Sequence, residues 1–545
     1  MKLLRVHIIA AKTCGGLLDG LDVCFRNPAF EVGAFHPMCL IGPNGAGKSQ
    51  FLQVIGEIFQ SILHATVDHE ERVEGNPDLQ FEIEYLITAP DDGTPNHVRA
   101  TRRAEGRRRT TVAIAKKVEN EWVEVDLRAS ATRNLLPRKI VGYTSGDNET
   151  LSLPFLLSRS GYADEVAHRA LEESPRSDPV PDTRLMLIDY GTHIEVLVAN
   201  LLLGSTDQRA ALLRDACLDD IHSFRCVVQL AHRAAPKVPA RRRSESTRKG
   251  IQLTAELEKY LDQLRRCATC YSHDIATDTY TFDFFVDEQT RLAFGHFWFS
   301  VLDLYSAIHK LAMLNDLAIP KPTRERFKKD TKLRRFASRL PEPQDEDKVF
   351  RFERVSFRAT ASAEIVDYVS LSDGEHQLVQ VLGTFCMVSF PDTLFLLDEP
   401  ESHFNPQWRV KFISRLLELP TSNGTRRQEA TLAAQQDCLI STHAPFVASD
   451  TPRDHVFIFR KDSEAGKVSV QLPNIETYGT TFDAILEECF GVRPPISQIP
   501  REDIETLKRS TDIEEVKEGL QRLGQSVEKV FLADHLRQLT KNVGV

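Results

Sequence analysis

The strongest constraint on this chain is a glycine-rich loop near its start whose companion motif, at Ser372, lies 324 residues beyond Lys48. Apolar residues Pro37-Met38-Cys39-Leu40-Ile41 lead into Gly42-Pro43-Asn44-Gly45-Ala46-Gly47-Lys48-Ser49-Gln50, and the amphipathic residues Phe51, Leu52, Val54 and Ile55 follow. Strand, glycine loop and helix form the context in which G-x-x-x-x-G-K-[ST] builds a phosphate cradle. Gly42, Gly45 and Gly47 let the backbone curl around phosphate oxygens and aim N–H groups inward. Lys48 supplies positive charge to the outer phosphates, Ser49 an oxygen for Mg²⁺, and the helix N-terminus a favourable dipole. Residues 42–50 are therefore expected to bind ATP with Mg²⁺.

The second half of such a site is expected downstream. Thr393-Leu394-Phe395-Leu396-Leu397 reads as a buried parallel strand ending in Asp398-Glu399-Pro400. At the strand's C-terminal end Asp398 is placed to hold Mg²⁺, and Glu399 to orient or deprotonate the attacking water. A second apolar strand, Cys438-Leu439-Ile440, leads to Ser441-Thr442-His443, putting His443 within reach of a γ-phosphate. In Leu371-Ser372-Asp373-Gly374-Glu375, Ser372 caps a helix and Gly374 keeps its N-terminus open to an anion. Alone, these strings are an acid pair, a surface histidine and a helix cap; their order along the chain points to a nucleotide site.

That order resembles the ATP-binding cassette heads of SMC, RecF and OLD-type ATPases. The resemblance implies an α/β P-loop fold, a mixed sheet with flanking helices, in which Ser372 and Gly374 of one protomer close over the ATP of another. It further implies Glu399 as catalytic carboxylate, His443 as switch histidine, Lys48 as catalytic phosphate ligand, and Asn405 where the D-loop acid sits. The expected assembly is a head-to-head dimer or higher homo-oligomer that hydrolyses ATP at its interface. Asp373, Glu375 and Asn405 depart from the superfamily's glycine, glutamine and aspartate. No glutamine follows Ile140-Val141-Gly142-Tyr143, so Asn148 or Glu149 is the substitute for the Q-loop residue.

Longer stretches carry a narrower likeness. LLRVHIIAAKTCGGLLDGLDVCF, IVGYTSGDNETLSLPF, DEPESHFNP and ETYGTTFDAILEECFGV resemble the PtuA-type ATPases of Septu anti-phage defence, including those attached to retrons. This likeness implies an ATPase that controls a separate HNH nuclease of PtuB type, with nucleic acid such as retron msDNA as a regulator. A RecF- or SMC-like repair ATPase acting on DNA ends or junctions is the alternative with the same head.

The interval between the two half-sites sets the expected organisation: an ATPase lobe over residues 1–190 with a β-rich arm at 66–140, a mainly helical insertion at 191–345, a second lobe at 346–473, and a helical partner-docking tail at 474–545. Helical periodicity marks Glu195 to Leu203, Gln208 to Leu218 and Leu253 to Leu264, none sustained enough for a long coiled-coil arm, and Thr279-Tyr280-Thr281-Phe282 is an expected strand within the insertion. In the tail, helices are expected near 480–490, 501–522 and 525–539, with Val516, Leu520, Leu523, Val527, Val530 and Phe531 as an apolar stripe. An OLD-type nuclease needs an Asp-x-Asp pair in the 102 residues after His443, and none occurs. The chain is accordingly expected not to cut nucleic acid itself.

Composition adds bounds: 41% apolar and 27% charged residues fit a folded domain, and no run is apolar enough for a membrane span. Ten cysteines are too sparse for a disulfide scaffold, so a reducing cytoplasm is expected. Cys267 and Cys270 lack a second close pair and read as helix-end cysteines rather than zinc ligands. The net charge of −10 conceals three basic islands, at 99–109, 233–249 and 321–339. Of these, Arg241, Arg242, Arg243, Arg248 and Lys249 are the expected nucleic-acid contacts.

Overall fold

Uninterrupted apolar runs dictate the centre of the fold. In the computed structural model, which describes residues 1–27, 34–88, 93–104, 111–146, 150–171, 178–232, 248–332, 343–360, 362, 364–428, 431–462, 464 and 466–543, the strands Met38–Ile41, Leu185–Ile188, Thr393–Asp398 and Asp437–Thr442 are buried at every position. Burial on both faces requires a covered, parallel sheet. The sheet has seven strands in the order Val468–Gln471, Val456–Lys461, Met38–Ile41, Asp437–Thr442, Thr393–Asp398, Lys139–Thr144 and Leu185–Ile188. Every neighbouring pair is parallel except the first, which closes one edge as an antiparallel hairpin. The register aligns Asp398 with Ser441 and Thr442 with Ile41, so the loops after three strands emerge together at one rim.

A six-stranded antiparallel sheet lies against this core, in the order Leu21–Cys24, Lys2–Ala10, Gln80–Thr88, Pro95–Arg102, Val112–Val118 and Glu121–Glu124. Leu3, Val6 and Ile8 from its second strand share one apolar cluster with Phe51, Ile55, Ile58 and Phe59 of the helix Lys48–Thr66 and with Leu394 and Leu396 of the parallel sheet. A buried ion pair ties the two sheets. Asp437 accepts from both terminal nitrogens of Arg26, at 2.7 and 2.8 Å, and from the Leu3 N–H at 2.7 Å.

The segment expected to be mainly helical, 191–345, has strand structure at its heart. Leu218–Gln229 is a long strand pairing with Thr279–Phe285 on one side and Phe350–Ala359 on the other. With Cys270–Asp274 and Ile365–Asp367 these make a five-stranded antiparallel sheet that crosses the expected boundary at 345/346. Gln208 to Leu218 is not one helix: it ends at Leu213, and Leu218 opens the strand. The helices Ala255–Cys267, Glu288–Phe297 and Val301–Met313 cover one face, where Phe224, Phe284 and Phe294 pack as rings. The helix His193–Leu203 docks this part on the helix Asp373–Met387: Asn200 Nδ2 donates to Gly383 O at 3.0 Å.

The contact boundary of the tail falls between Tyr478 and Gly479, five residues beyond the expected 473/474. Within Gly479–Val545 the helices are Phe482–Phe490, Gln498–Arg509, Ile513–Arg522 and Val527–Val543. The expected helix at 501–522 is broken at Ser510, because Asp512 caps a new start by accepting from the Glu514 and Glu515 N–H groups. Val516 and Leu532 are buried, whereas Val527, Val530 and Phe531 are each more than 60% exposed. Among the described residues no helix is long and apolar enough to cross a membrane.

Candidate functional site

Backbone geometry makes the glycine loop obligatory. Gly42, Gly45 and Gly47 all hold positive φ, at 146°, 75° and 92°, a region that side chains rarely adopt. A Cβ on Gly42 would also meet Phe459 O at 2.3 Å. Gly47 is the cap residue of Lys48–Thr66, so the first N–H groups of that helix have no side-chain partner of their own and face the loop. Pro43, Asn44 and Gly45 are exposed at the tip, Ala46 and Gly47 are buried, and Gln50 is half-buried beyond them.

Lys48 is buried and folds back along the loop. Its Nζ donates to Gly42 O at 2.8 Å and Pro43 O at 3.3 Å, and lies 3.2 and 3.3 Å from the two ring nitrogens of His443. Ser49 Oγ donates to Asp398 Oδ1 at 2.9 Å across 349 residues of sequence. Ser441, level with Asp398 in the ladder, donates to the same carboxylate. The hydroxyl and carboxylate read as Mg²⁺ ligands are thus adjacent.

Glu399 holds φ at +48°, an unusual conformation for a residue with a side chain. Such strain costs on the order of 1–3 kcal/mol and persists only where surroundings enforce it. Here the Glu399 N–H donates to Ser441 O at 3.2 Å. Its side chain is turned toward His443: the His443 N–H donates to Oε2 at 3.3 Å, and Nε2 lies 3.1 Å from Oε1. His443 is fixed on its other side by Gly42 O, 3.0 Å from Nδ1. One histidine therefore bridges the glycine loop and the acid.

Burial dominates the electrostatics. It pulls Lys48 below the usual lysine range, against the opposing charges of Glu399 and Asp398. It raises Asp398 and Glu399 above the usual carboxylate range and lowers His443, with Lys48 adding to that effect. A third carboxyl, Glu401, is fully buried and pushed up to about 7. Partly desolvated acids beside a buried lysine and a helix N-terminus are what a polyanion with a divalent cation would compensate. The donor set fits ATP and Mg²⁺: hydroxyl and carboxylate oxygens for the metal, and a cation and backbone N–H groups for phosphate.

Ser372, Gly374 and Asn405 stand apart from this cluster. Ser372 caps the helix Asp373–Met387, accepting from the Glu375 N–H, while the Glu375 carboxylate accepts from the Ser372 N–H at 2.7 Å. Gly374 packs against the His403 carbonyl and the Trp408 ring. Among the described residues no hydrogen bond or ion pair joins either to Lys48, Ser49 or Asp398. Asn405 caps Pro406–Leu417 by accepting from Trp408 N–H at 3.0 Å. Asn148 and Glu149 lie outside the described residues.

Of the expected nucleic-acid contacts, Arg241, Arg242 and Arg243 also lie outside the described residues. Arg248 is engaged within the fold: it pairs with Glu258 at 2.6 Å and Asp278 at 3.0 Å. Lys249 Nζ donates to Ile275 O at 3.1 Å. Cys267 is buried at a helix end, and Cys270 is exposed at the start of a strand.

Sequence reasoning assigned no role to Ser441, Thr442, Glu401 or Gln377. Ser441 was legible in principle, since a hydroxyl at the end of a strand beside the acidic strand falls level with Asp398. Gln377, on the Ser372-capped helix, donates to Ser402 Oγ at 3.0 Å and accepts from His403 N–H at 2.8 Å. It fastens that helix to the turn after Glu399, a contact that no local pattern announces.

Residues 288–449 match the family model described as "AAA domain, putative AbiEii toxin, Type IV TA system". The matched span is under a third of the chain. It takes in the Ser372-capped helix, Asp398, Glu399 and His443, and leaves out the glycine loop. The search of curated proteins found no match. With Lys48 and Ser49 brought onto the matched acids and histidine, the chain carries an AAA-type P-loop ATPase domain of α/β fold.

Proposed function

We propose that the chain is the ATP-binding and ATP-hydrolysing subunit of an anti-phage defence complex, acting at an interface between copies of itself and controlling a separate HNH-type nuclease. The observation that carries the ATPase part is the convergence of Lys48, Ser49, Asp398, Glu399 and His443, with Ser372 exposed elsewhere. Supporting the interface, Ser372 is exposed, and its N–H and hydroxyl bond to Glu375 of its own helix rather than to that cluster. An ABC- or SMC-like head whose signature serine serves a neighbour accounts for both facts. The defence role rests on the likeness to PtuA-type ATPases and is supported by the putative AbiEii toxin and type IV TA system named in the matched family's description. The exposed Val527, Val530 and Phe531 offer an apolar surface for a partner.

Residue roles follow from the geometry. Lys48 and the N–H groups from Gly45 to Ser49 bind the phosphates, and Ser49 with Asp398 holds Mg²⁺. Held by Ser49 and Asp398, Mg²⁺ would supply neutralisation of phosphate charge. Glu399 accepts a proton from, or orients, the attacking water, and its raised proton affinity suits it to that transfer. His443, hydrogen-bonded to both loop and acid, holds Glu399 against the glycine loop.

The test is Glu399→Gln. This substitution keeps the shape of the site and removes the base, so ATP is retained, the oligomer is trapped, and turnover falls about 10²- to 10⁴-fold. Lys48→Ala loses ATP binding instead. Wild-type turnover by Glu399→Gln contradicts the assignment.

A further inference from the structure

Glu401, two residues beyond Glu399, is 1% exposed and sits in the turn that carries the catalytic carboxylate. Thr442 Oγ1, at the end of the neighbouring strand, donates to its Oε1. The same hydroxyl accepts the Ala444 N–H at 2.9 Å. One hydroxyl thus spans His443, gripping the residue after it and, through Glu401, the turn bearing Glu399. The ladder between the two strands ends at Asp398 and Ser441, with the Glu399 N–H bonded to Ser441 O just beyond it, and among the described residues no backbone–backbone bond joins the turn to His443. Opposite Glu401 in the same turn, Gln377 bonds Ser402 and His403.

We propose that Glu401 is a positioning residue for ATP hydrolysis, acting through Thr442 to keep His443 and Glu399 in mutual register. The proposal rests on the ATPase reading and deepens it. A hydroxyl has a single proton, so Thr442 grips the turn only while an acceptor sits at Glu401. Without one, the Ala444 carbonyl, 3.5 Å from Thr442 Oγ1, is the alternative acceptor. The hydroxyl then turns inward on its own strand, and the turn keeps only the Glu399 N–H bond to Ser441 O and the His443 N–H bond to Glu399, without the side-chain brace that fixes their angle. His443 keeps its bond to Gly42 and its place beside Lys48, so nucleotide binding survives. What is lost is the aim of Glu399, which matters only as water attacks. Gln at position 401 still offers a carbonyl acceptor and preserves the bridge.

Steady-state ATP turnover of the full chain decides the matter, measured for Glu401→Ala, Glu401→Gln, Thr442→Val, Thr442→Ser and the double variant Glu401→Ala/Thr442→Val. Loss of either side of the bridge should lower kcat about tenfold or more while KM stays within about twofold. Glu401→Gln and Thr442→Ser should stay within about threefold of wild type, and the double variant should fall no further than the worse single one. The proposal is overturned if kcat of Thr442→Val is unchanged, if KM rises in step with kcat loss, or if Gln fails as badly as Ala. Thr442→Val preserves side-chain shape, so it decides the case should Glu401→Ala not fold. Absence of turnover in the wild-type chain would instead overturn the ATPase reading.

Discussion

Replacing Asp437 by Asn should cost this protein a large share of its stability without touching the nucleotide site. Asp437 starts the strand that ends at Thr442 and is wholly buried. It accepts from both terminal nitrogens of Arg26 at 2.7 and 2.8 Å, from Leu3 N–H at 2.7 Å and from Cys438 N–H at 3.1 Å. Breaking a buried ion pair from one side costs about 3–5 kcal/mol, because the remaining charge stays buried. Asn keeps one oxygen but turns an amide toward the donors, which adds about 1–3 kcal/mol for the least-served one. Lys2 is drawn in as well: burial already pulls it down to about 8, with Asp437 the largest opposing influence, so losing that carboxylate lowers it further. All three tryptophans, Trp122, Trp298 and Trp408, lie within Met1–Tyr478, so intrinsic fluorescence in urea reports on this unit alone. The urea midpoint should drop by about 1 M or more. Replacing the pair by apolar residues, Arg26→Met with Asp437→Leu, should recover the part of the loss due to the stranded Arg26 charge, though not the part due to the Leu3 N–H and Lys2. The pH dependence has a fixed sign. Arg26 and Lys2 hold the folded Asp437 below its ordinary range, so its stabilisation is present above that range and is lost as pH falls through the lowered value. The Asn variant should lack that acid-side decline. A midpoint within experimental error of wild type, or a double variant no better than Asp437→Asn, refutes the reasoning.

Two further outcomes follow from the loop and the basic islands. Gly42→Ala places a Cβ 2.3 Å from Phe459 O at a φ of +146°. The loop must shift, and a fluorescent-nucleotide titration should show at least about a tenfold loss of ATP affinity. Charge reversal at Arg241, Arg242 and Arg243 together should weaken nucleic-acid binding and reduce its log–log salt slope by about 2 to 3, the share of three phosphate contacts; unchanged affinity and slope would remove this stretch as the interface.

The central sheet was legible because its strands leave the sequence no alternative. Met38–Ile41 is wholly apolar, Thr393–Asp398 and Asp437–Thr442 carry the apolar runs Leu394 to Leu397 and Cys438 to Ile440, and each run leads directly into residues of the site, with the glycine spacing marking the loop. Leu218–Gln229 shows the opposite case. Its sequence, LDDIHSFRCVVQ, mixes polar and apolar residues, and irregularities at Leu218/Asp220, Ile221/Ser223 and Arg225/Cys226 break the period-two alternation. Its partner Phe350–Ala359 lies more than 120 residues away, so tertiary pairing, not local pattern, makes it a strand. Asp512 is a signal that sequence reasoning passed over: Ser-Thr-Asp before two glutamates is a helix-start pattern inside what read as a single helix. Glu401 was hidden for another reason. Nothing in Glu401-Ser402-His403 shows that the glutamate turns inward, since its partner Thr442 is 41 residues on.

Mixing two inactive variants tests the central claim, an ATP site completed by a neighbouring copy, most directly. Lys48→Ala destroys the phosphate cradle, and Ser372→Arg blocks the helix end that would close over another chain's ATP. Each alone should hydrolyse no ATP. In an equimolar mixture of dimers half are hybrids, each with one site intact, so turnover should return to about a quarter of the wild-type value. Wild-type turnover by Ser372→Arg alone, or a mixture that stays inactive although hybrids form, would contradict an interface site.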